Sequence, residues 1–272
     1  MSITQKKKSI SVVINTYNEE ENIKQCLNKL TWVDEIIIVD MHSSDKTVDN
    51  AKKYTDKIFF SKKYPYVEPV RNFSISKATK DWILIVDADE SFSDLKGYKI
   101  RNLIQNTEVD GYLFPRRAYI NNNCYLKHGY FYPDYQLRLF KNNGKFKYSE
   151  SVHRQPDSRD LKTKRINSIE IFHNSSHGKY DSFFHFFRFI HYIIPDAIEQ
   201  SKLNINTLYL LWLIPLDLVR HIYRSFIKLS GYLDGYAGFR AAVIYSLYKT
   251  IVNICAVFIR LSSNTNEYSY RP

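Results

Sequence analysis

Four short runs of β-branched and apolar residues, each stopping at a polar cluster, constrain this chain more than any other feature. Residues 10–14 (Ile-Ser-Val-Val-Ile) stop at Asn15-Thr16-Tyr17-Asn18, and residues 35–39 stop at Asp40. Residues 57–60 form a shorter run, and Trp82-Ile83-Leu84-Ile85 leads into Val86-Asp87-Ala88-Asp89-Glu90. Between these runs the pattern switches to helix. Residues 19–30 carry Ile23, Leu27 and Leu30 at spacings of four and three, with acids in the first turn, as a helix N-terminus prefers. Ser43-Ser44-Asp45 reads as the cap of a helix running to about Tyr54, and a further helix is expected near residues 70–79. Strands alternating with helices predict a doubly wound, mostly parallel α/β sheet covered on both faces. Such sheets bind ligands at the carboxyl ends of their strands. Asn15-Thr16-Tyr17, Asp40 and Asp87 with Asp89 all fall just past expected strand ends.

Asp87 and Asp89, one residue apart, form a two-carboxylate claw for a divalent cation. Oxygen ligands suit Mg²⁺ or Mn²⁺, held by one or two protein carboxylates together with substrate phosphates. Acids after a strand are also common turn formers, so the pair gains its weight from the polar clusters beside it.

These residues resemble a known family. Residues 13–20 (Val-Ile-Asn-Thr-Tyr-Asn-Glu-Glu), Val39-Asp40 with Ser43-Ser44-Asp45-Lys46-Thr47, Arg71-Asn72 and residues 81–90 are similar to family 2 glycosyltransferases of the Rossmann-like GT-A fold. Residues 129–140, with Tyr132-Pro133-Asp134-Tyr135-Gln136-Leu137-Arg138, and residues 231–239 resemble the lipopolysaccharide core β-1,4-glucosyltransferase branch. The resemblance implies a UDP-sugar donor and a divalent metal. It implies that Thr16, Tyr17, Glu19 and Asp40 hold the nucleoside, with Ser43 on the same loop. Asp87 then lies beside ribose and metal, Asp89 ligates the metal, and Arg71 approaches the donor. Loss of diphosphate builds negative charge that a cation and cationic side chains stabilise.

Inverting transfer also needs a carboxylate base within reach of the acceptor hydroxyl. Asp134, in an aromatic-rich loop suited to stacking on sugar rings, is the first choice and Glu150 the rival. This branch lacks the usual Glu-Asp pair of other family 2 enzymes at that point. His153 is a further metal candidate, with His173 behind it. The branch commonly shows His-Glu where this chain has His153-Arg154. Arg138 and Arg154 are candidates to face the diphosphate, although Arg138 reads equally as a strand residue salt-bridged to a neighbour.

The charge of +11, from 39 basic and 28 acidic residues, raises nucleic-acid binding as a rival. The excess is spread at +4, +4 and +3 over residues 1–80, 81–180 and 181–272, without the dense stripe of a backbone-tracking groove. A diffuse positive field suits an anionic membrane surface. Cys26, Cys124 and Cys255 are odd in number and too far apart for a zinc pattern, which fits a reducing cytosol. The first residues carry no cleavage-like site, so no signal peptide is expected.

The C-terminal third is rich in aromatic and apolar residues. Residues 183–190 open a helical region, and residues 208–219 are intensely apolar but interrupted by Pro215 and Asp217. That run is shorter than the roughly 20 helical residues a bilayer requires. Residues 241–261 are long enough, yet Lys249, Asn253 and Arg260 make spanning costly. Interfacial helices are therefore expected, with Trp212, Arg220, Arg224 and Lys228 at headgroup level. A helical lid or a dimer interface is the bland alternative.

The sequence thus predicts a catalytic domain over residues 1–180, with its nucleotide-sugar half at 9–92 and its acceptor half at 93–180. A helical, amphipathic membrane-associating or lid extension follows over 181–272. The expected activity is inverting transfer of a hexose, glucose from UDP-glucose, onto a lipopolysaccharide core, capsule or other cell-surface glycan precursor at the cytoplasmic face of the inner membrane. A polyprenyl-phosphate glycosyltransferase and a non-catalytic glycan- or membrane-binding scaffold of the same fold are the alternatives.

Overall fold

The structure is a computed structural model. It describes residues 7–64, 66–106, 108–121, 124–148, 161–173, 190–203 and 206–268. The chain divides into two compact units, Met1–Arg117 with Asp134–Asn174, and Ala118–Pro133 with Ser175–Pro272.

The first unit begins with β1 (Ile10–Thr16), α1 (Glu20–Asn28), β2 (Glu35–Asp40), α2 (Thr47–Ala51), β3 (Ile58–Phe60), α3 (Glu68–Ile75) and β4 (Trp82–Asp87). β5 (Glu90–Phe92), α4 (Tyr98–Leu103), β6 (Gly111–Asn121), β7 (Cys124–Leu126), β8 (Asp134–Lys141), β9 (Thr163–Arg165) and β10 (Ile171–His173) follow, of which β7 and residues 118–121 of β6 belong to the second unit. The sheet order is β3-β2-β1-β4-β8-β6-β10-β5. β3, β2, β1 and β4 are parallel, whereas β8 is antiparallel to β4 and to β6.

Period-two alternation explains why the apolar runs are continuous. Ile10, Val12, Ile14, Trp82, Leu84 and Val86 face one buried cluster, which also receives Ile23 and Leu27 of α1. Val13, Ile37, Val39, Ile83 and Ile85 face a second, which receives Val70 of α3. A strand buried on both faces needs an apolar residue at almost every position. The doubly wound α/β expectation holds, and from β8 onward the sheet is mixed.

Several helix limits differ from the sequence reading. α2 is five residues long and begins after Asp45, whose Oδ1 accepts from the Thr47 amide at 2.9 Å, so Asp45 closes a tight local turn. α3 starts two residues earlier than expected and carries Pro69 in its first turn, where the missing N–H costs nothing. α1 ends at Asn28, and Leu30 stays buried in the turn that follows. Gly97, at φ 67°, lies against Trp32, and a Cβ there would sit 2.1 Å from the indole.

The second unit holds α5 (Ile190–Ser201), α6 (Thr207–Ile222) and α7 (Gly235–Tyr268), with a π-helical turn at Tyr223–Lys228 and a 3₁₀ turn at Gly231–Asp234. Ile193 and Ala197 of α5 pack on Tyr248, Val252 and Ala256 of α7. Pro215 and Asp217 do not interrupt α6. Asp217 is buried and accepts from Arg220, and from Asn253 of α7 at 2.5 Å, so the charge that interrupts the apolar run joins two helices. The stretch Gly231–Phe239 is built for close approach. A Cβ on Gly238 would stand 2.0 Å from the Gly231 carbonyl oxygen. Asp234 accepts from the Lys127 and His128 amides, each at 2.9 Å, and lies 3.0 Å from His128 Nδ1. Leu126 and Phe131 pack against Ala241 of α7.

Candidate active site

Strand register brings the polar clusters together. Thr16 pairs with Asp40 across β1 and β2, and Asn15 pairs with Asp87 across β1 and β4. All four residues sit at the carboxyl edge of the parallel strands, as the sequence predicted.

The loops after β1 and β2 are stitched to each other. Thr16 Oγ1 donates to Asp40 Oδ2 at 2.9 Å, and the Ser43 amide and hydroxyl donate to the same carboxylate at 2.7 and 2.6 Å. The Asn18 amide donates to Ser43 Oγ, and the Glu19 amide donates to Thr47 Oγ1. Asp40 is fully buried. Its oxygens accept from its own loops, and it shapes the rim. Ser43 and Thr16 are likewise occupied in that task. Tyr17 accepts from Lys63 Nζ at 2.7 Å. Glu19 accepts from Asn22, and burial together with the nearby carboxylates of Asp89, Asp87 and Asp45 pushes its carboxyl up. Asn15 Oδ1 is buried without a hydrogen-bond partner.

Deeper in the site, three arginines and three acids alternate. Arg71 Nη2 lies 2.9 Å from Asp87 Oδ1, and Arg138 Nη2 lies 2.7 Å from Asp87 Oδ2. The same Arg138 nitrogen is 2.7 Å from Glu90 Oε1, which is 3.5 Å from Arg116 Nη1. Arg116 then donates to Asp134 Oδ2 from Nη2 at 2.7 Å and Nε at 2.9 Å, and Gln136 donates to Asp134 Oδ1 at 2.7 Å. Burial alone would raise the Asp87 carboxyl, but Arg138 and then Arg71 outweigh it and hold it far below the usual carboxylate range. The guanidinium of Arg138 is held protonated by Asp87 and Glu90 against its own burial.

Both oxygens of Asp87 are engaged by guanidinium groups. Arg138 is 4% exposed and bridges the part-exposed Asp87 and the buried Glu90. Of the two sequence readings of Arg138, the salt-bridged strand residue is the one observed. Arg71 sits over the Tyr148 ring at 5.4 Å and is equally buried. Arg71 Nη1 and Arg138 Nε have no hydrogen-bond partner.

Asp89 has a different partner. Its side chain is 25% exposed, as is that of Asp87, and its Oδ2 lies 3.0 Å from His173 Nε2 on β10. His173, the weaker histidine in the sequence, is therefore the imidazole beside the acid. Glu150, His153 and Arg154 lie outside the described residues. Among the described residues no group of three or more metal-binding side chains forms. One carboxylate and one imidazole still make a donor set that suits a divalent cation whose other positions are filled by water and phosphate oxygens. Glu90 was read only as the end of an acidic run. Its place between Arg138 and Arg116 comes from β5, a three-residue strand without a periodic signal.

The chain is 33% identical over 174 residues to the SPbeta prophage-derived glycosyltransferase SunS of Bacillus subtilis, a match covering 61% of this chain and 39% of SunS. It is 36% identical over 107 residues to an uncharacterised glycosyltransferase of Rickettsia typhi, covering 39% of this chain and 36% of the relative. The chain thus spans well under half the length of these relatives. Among solved structures, S. aureus TarS 1–349 aligns over 97% of this chain and 93% of its own, at 15% identity and a TM-score of 0.47. Glucosyl-3-phosphoglycerate synthase from Mycobacterium tuberculosis, crystallised with Mn²⁺ and UDP-glucose, aligns over 40% of this chain and 44% of its own, at 20% identity and a TM-score of 0.34. The profile of Glycosyl transferase family 2 matches residues 11–174, more than half of the chain and nearly all of the first unit's span, and the chain belongs to that family.

Proposed function

We propose that this protein is an inverting hexosyltransferase that moves glucose from UDP-glucose to a hydroxyl of a cell-surface glycan precursor. The observation that carries this reading is the contrast between two neighbouring acids. Asp87 is fully compensated by Arg71 and Arg138, whereas Asp89, exposed to the same degree, lies beside the His173 imidazole.

The alternating network of Arg71, Asp87, Arg138, Glu90, Arg116 and Asp134 balances three cations against three anions. It therefore supplies no surplus positive charge for a diphosphate. Asp89 and His173 would hold a divalent cation, Mn²⁺ or Mg²⁺, which when bound neutralises charge on the leaving diphosphate. Arg71 Nη1, buried and without a hydrogen-bond partner, would add a donor on this side of the site. Asp134, about a third exposed and oriented by Arg116 and Gln136, is the base. It takes the proton of the acceptor hydroxyl as that oxygen bonds to the anomeric carbon. The bond from that carbon to the phosphate oxygen breaks, and UDP departs with the electron pair. Attack from the face opposite the leaving group inverts the anomeric centre.

The acceptor class rests on the resemblance of residues 129–140 to enzymes that extend lipopolysaccharide cores. The Gly231–Phe239 stretch supports that part less, because its glycines and Asp234 are occupied in packing.

Calorimetric titration of the protein with UDP-glucose, UDP-galactose, UDP-N-acetylglucosamine and a dTDP-sugar, with and without Mn²⁺, tests the reading. UDP-glucose is expected to bind tightest and only with the metal. Equal binding in excess chelator overturns the metal role, and tighter binding of another sugar overturns the donor assignment.

A further inference from the structure

The second unit carries a stripe of large apolar side chains that its own helices leave uncovered. Trp212, Leu216, Val219, Tyr223 and Ile227 recur at spacings of four, three, four and four along α6 and the π-helical turn after it, so they lie on one side of the helix. All five are exposed, Trp212 at 68% and Val219 at 65%. The opposite side is accounted for. Asp217 is buried against Asn253 of α7, and Ser225 is fully buried. Tyr232, Leu233 and Tyr236 continue the exposed set through the 3₁₀ turn into the start of α7. An apolar surface of this length on one helix marks an interaction site rather than scattered exposure.

Charge says what covers it. Arg220, Arg224 and Lys228 form a second row at spacings of four, each one residue after a stripe residue, and all three are exposed. Between residues 206 and 262 the chain has six basic residues and two acids. Both acids are buried and hydrogen-bonded inside the unit: Asp217 to Arg220 and Asn253, and Asp234 to the Lys127 and His128 amides. No exposed acid therefore interrupts this face. An apolar stripe with an indole and phenols, bordered by an uninterrupted cationic row, matches an anionic bilayer surface: rings at the headgroup boundary, aliphatic groups below it, guanidinium and ammonium groups on phosphate.

We propose that the α6 face from Trp212 to Lys228 docks in the plane of an anionic lipid surface. The helix lies on the bilayer and does not cross it. By length and composition α7 is the helix that could cross, yet nearly half of its most apolar window is buried inside the protein. Its Tyr248, Val252 and Ala256 are committed to α5.

Co-sedimentation of the full chain with preformed vesicles tests this, using phosphatidylcholine alone against phosphatidylcholine with about one-third phosphatidylglycerol. Binding is expected on the anionic vesicles and to fall as salt rises. The combined variant Trp212→Ser, Val219→Ser and Tyr223→Ser is expected to lose binding to both vesicle types while its melting temperature holds, because the three side chains are exposed. Arg224→Gln with Lys228→Gln should weaken anionic binding by about 30-fold, at roughly 1 kcal/mol per cation, with little change on neutral vesicles. Three results overturn the proposal: equal binding of the wild type to both vesicle types, unchanged binding by the serine variant, or a wild-type dimer in sedimentation velocity that the serine variant disperses. The last result would assign the face to a second copy of this chain. None of these readouts depends on the proposed glycosyl transfer.

Discussion

Arg138 donates to Asp87 across 2.7 Å from a position almost wholly removed from solvent, and the two residues stand 51 apart in the chain. Removing Arg138 takes the nearer of two cations from the buried Glu90 and one of two from Asp87, and breaking a buried ion pair typically costs about 3–5 kcal/mol. Arg138→Ala is therefore expected to destabilise the protein by about 3–5 kcal/mol, read from urea melts. Arg138→Lys keeps the charge but reaches one acid at a time, and it should fall between wild type and alanine.

Asp89→Asn and His173→Ala should leave the fold intact, since Asp89 is part-exposed and His173 is the last residue of β10. Each is expected to weaken Mn²⁺ binding at least tenfold, in line with the loss of a ligand or its partner. Titration of Mn²⁺ by its paramagnetic resonance signal checks this without reference to turnover. Unchanged Mn²⁺ affinity in both variants would remove the metal assignment.

Glu35 gives a pH dependence with a defined sign. Burial alone would raise its carboxyl, but donation from Lys57, Ser11 and Thr79 outweighs it and holds the group at about 2, against 4.5 when free. A depressed folded value contributes stability that is fully present above pH 4.5 and is lost as pH falls toward 2. The difference corresponds to roughly 3 kcal/mol. Urea midpoints measured between pH 6 and pH 2.5 should drop for the wild type, and part of that drop should vanish in Glu35→Gln.

Cys26 lies buried beneath the acidic edge, where burial first, and then the carboxylates of Glu90, Asp89 and Asp87, push its thiol up to about 12. A thiolate is scarce there at neutral pH. Peptide mapping after brief iodoacetamide treatment at pH 7.5 should find Cys26 unmodified in the native protein and alkylated after unfolding in urea.

Asp234 anchors the turn that carries Lys127 and His128. Asp234→Ala removes the acceptor for two amides and should cost about 2–4 kcal/mol. Asp234→Asn keeps a carbonyl oxygen for them and should recover much of that loss in thermal melts.

The parallel half of the fold was legible because its strands are buried on both faces. Ile10 to Ile14 and Trp82 to Val86 had no polar alternation to obscure them, and the polar residue ending each run marked the sheet edge. The site was legible only as far as sequence neighbours reach. Asp87 and Asp89 look equivalent in the chain, and what separates them is Arg71, Arg138 and His173, delivered by α3, β8 and β10. No periodicity encodes such long-range pairing. Pro215 and Asp217 interrupt the apolar run in the sequence, and what the sequence does not show is that α6 continues through both while Asn253 of α7 satisfies the acid. In Gly231–Phe239 the pattern was visible while its meaning was not, because the need for hydrogen in place of a methyl group at Gly238 arises from a carbonyl seven residues earlier.

The outermost strands of the sheet, β3 and β5, are three residues each. Stubs of that length offer an incoming polypeptide too few unpaired amides and carbonyls to lengthen the ladder from molecule to molecule. Crowding of this chain should therefore not seed fibrils through its sheet margins, and association at high concentration is left to side-chain surfaces.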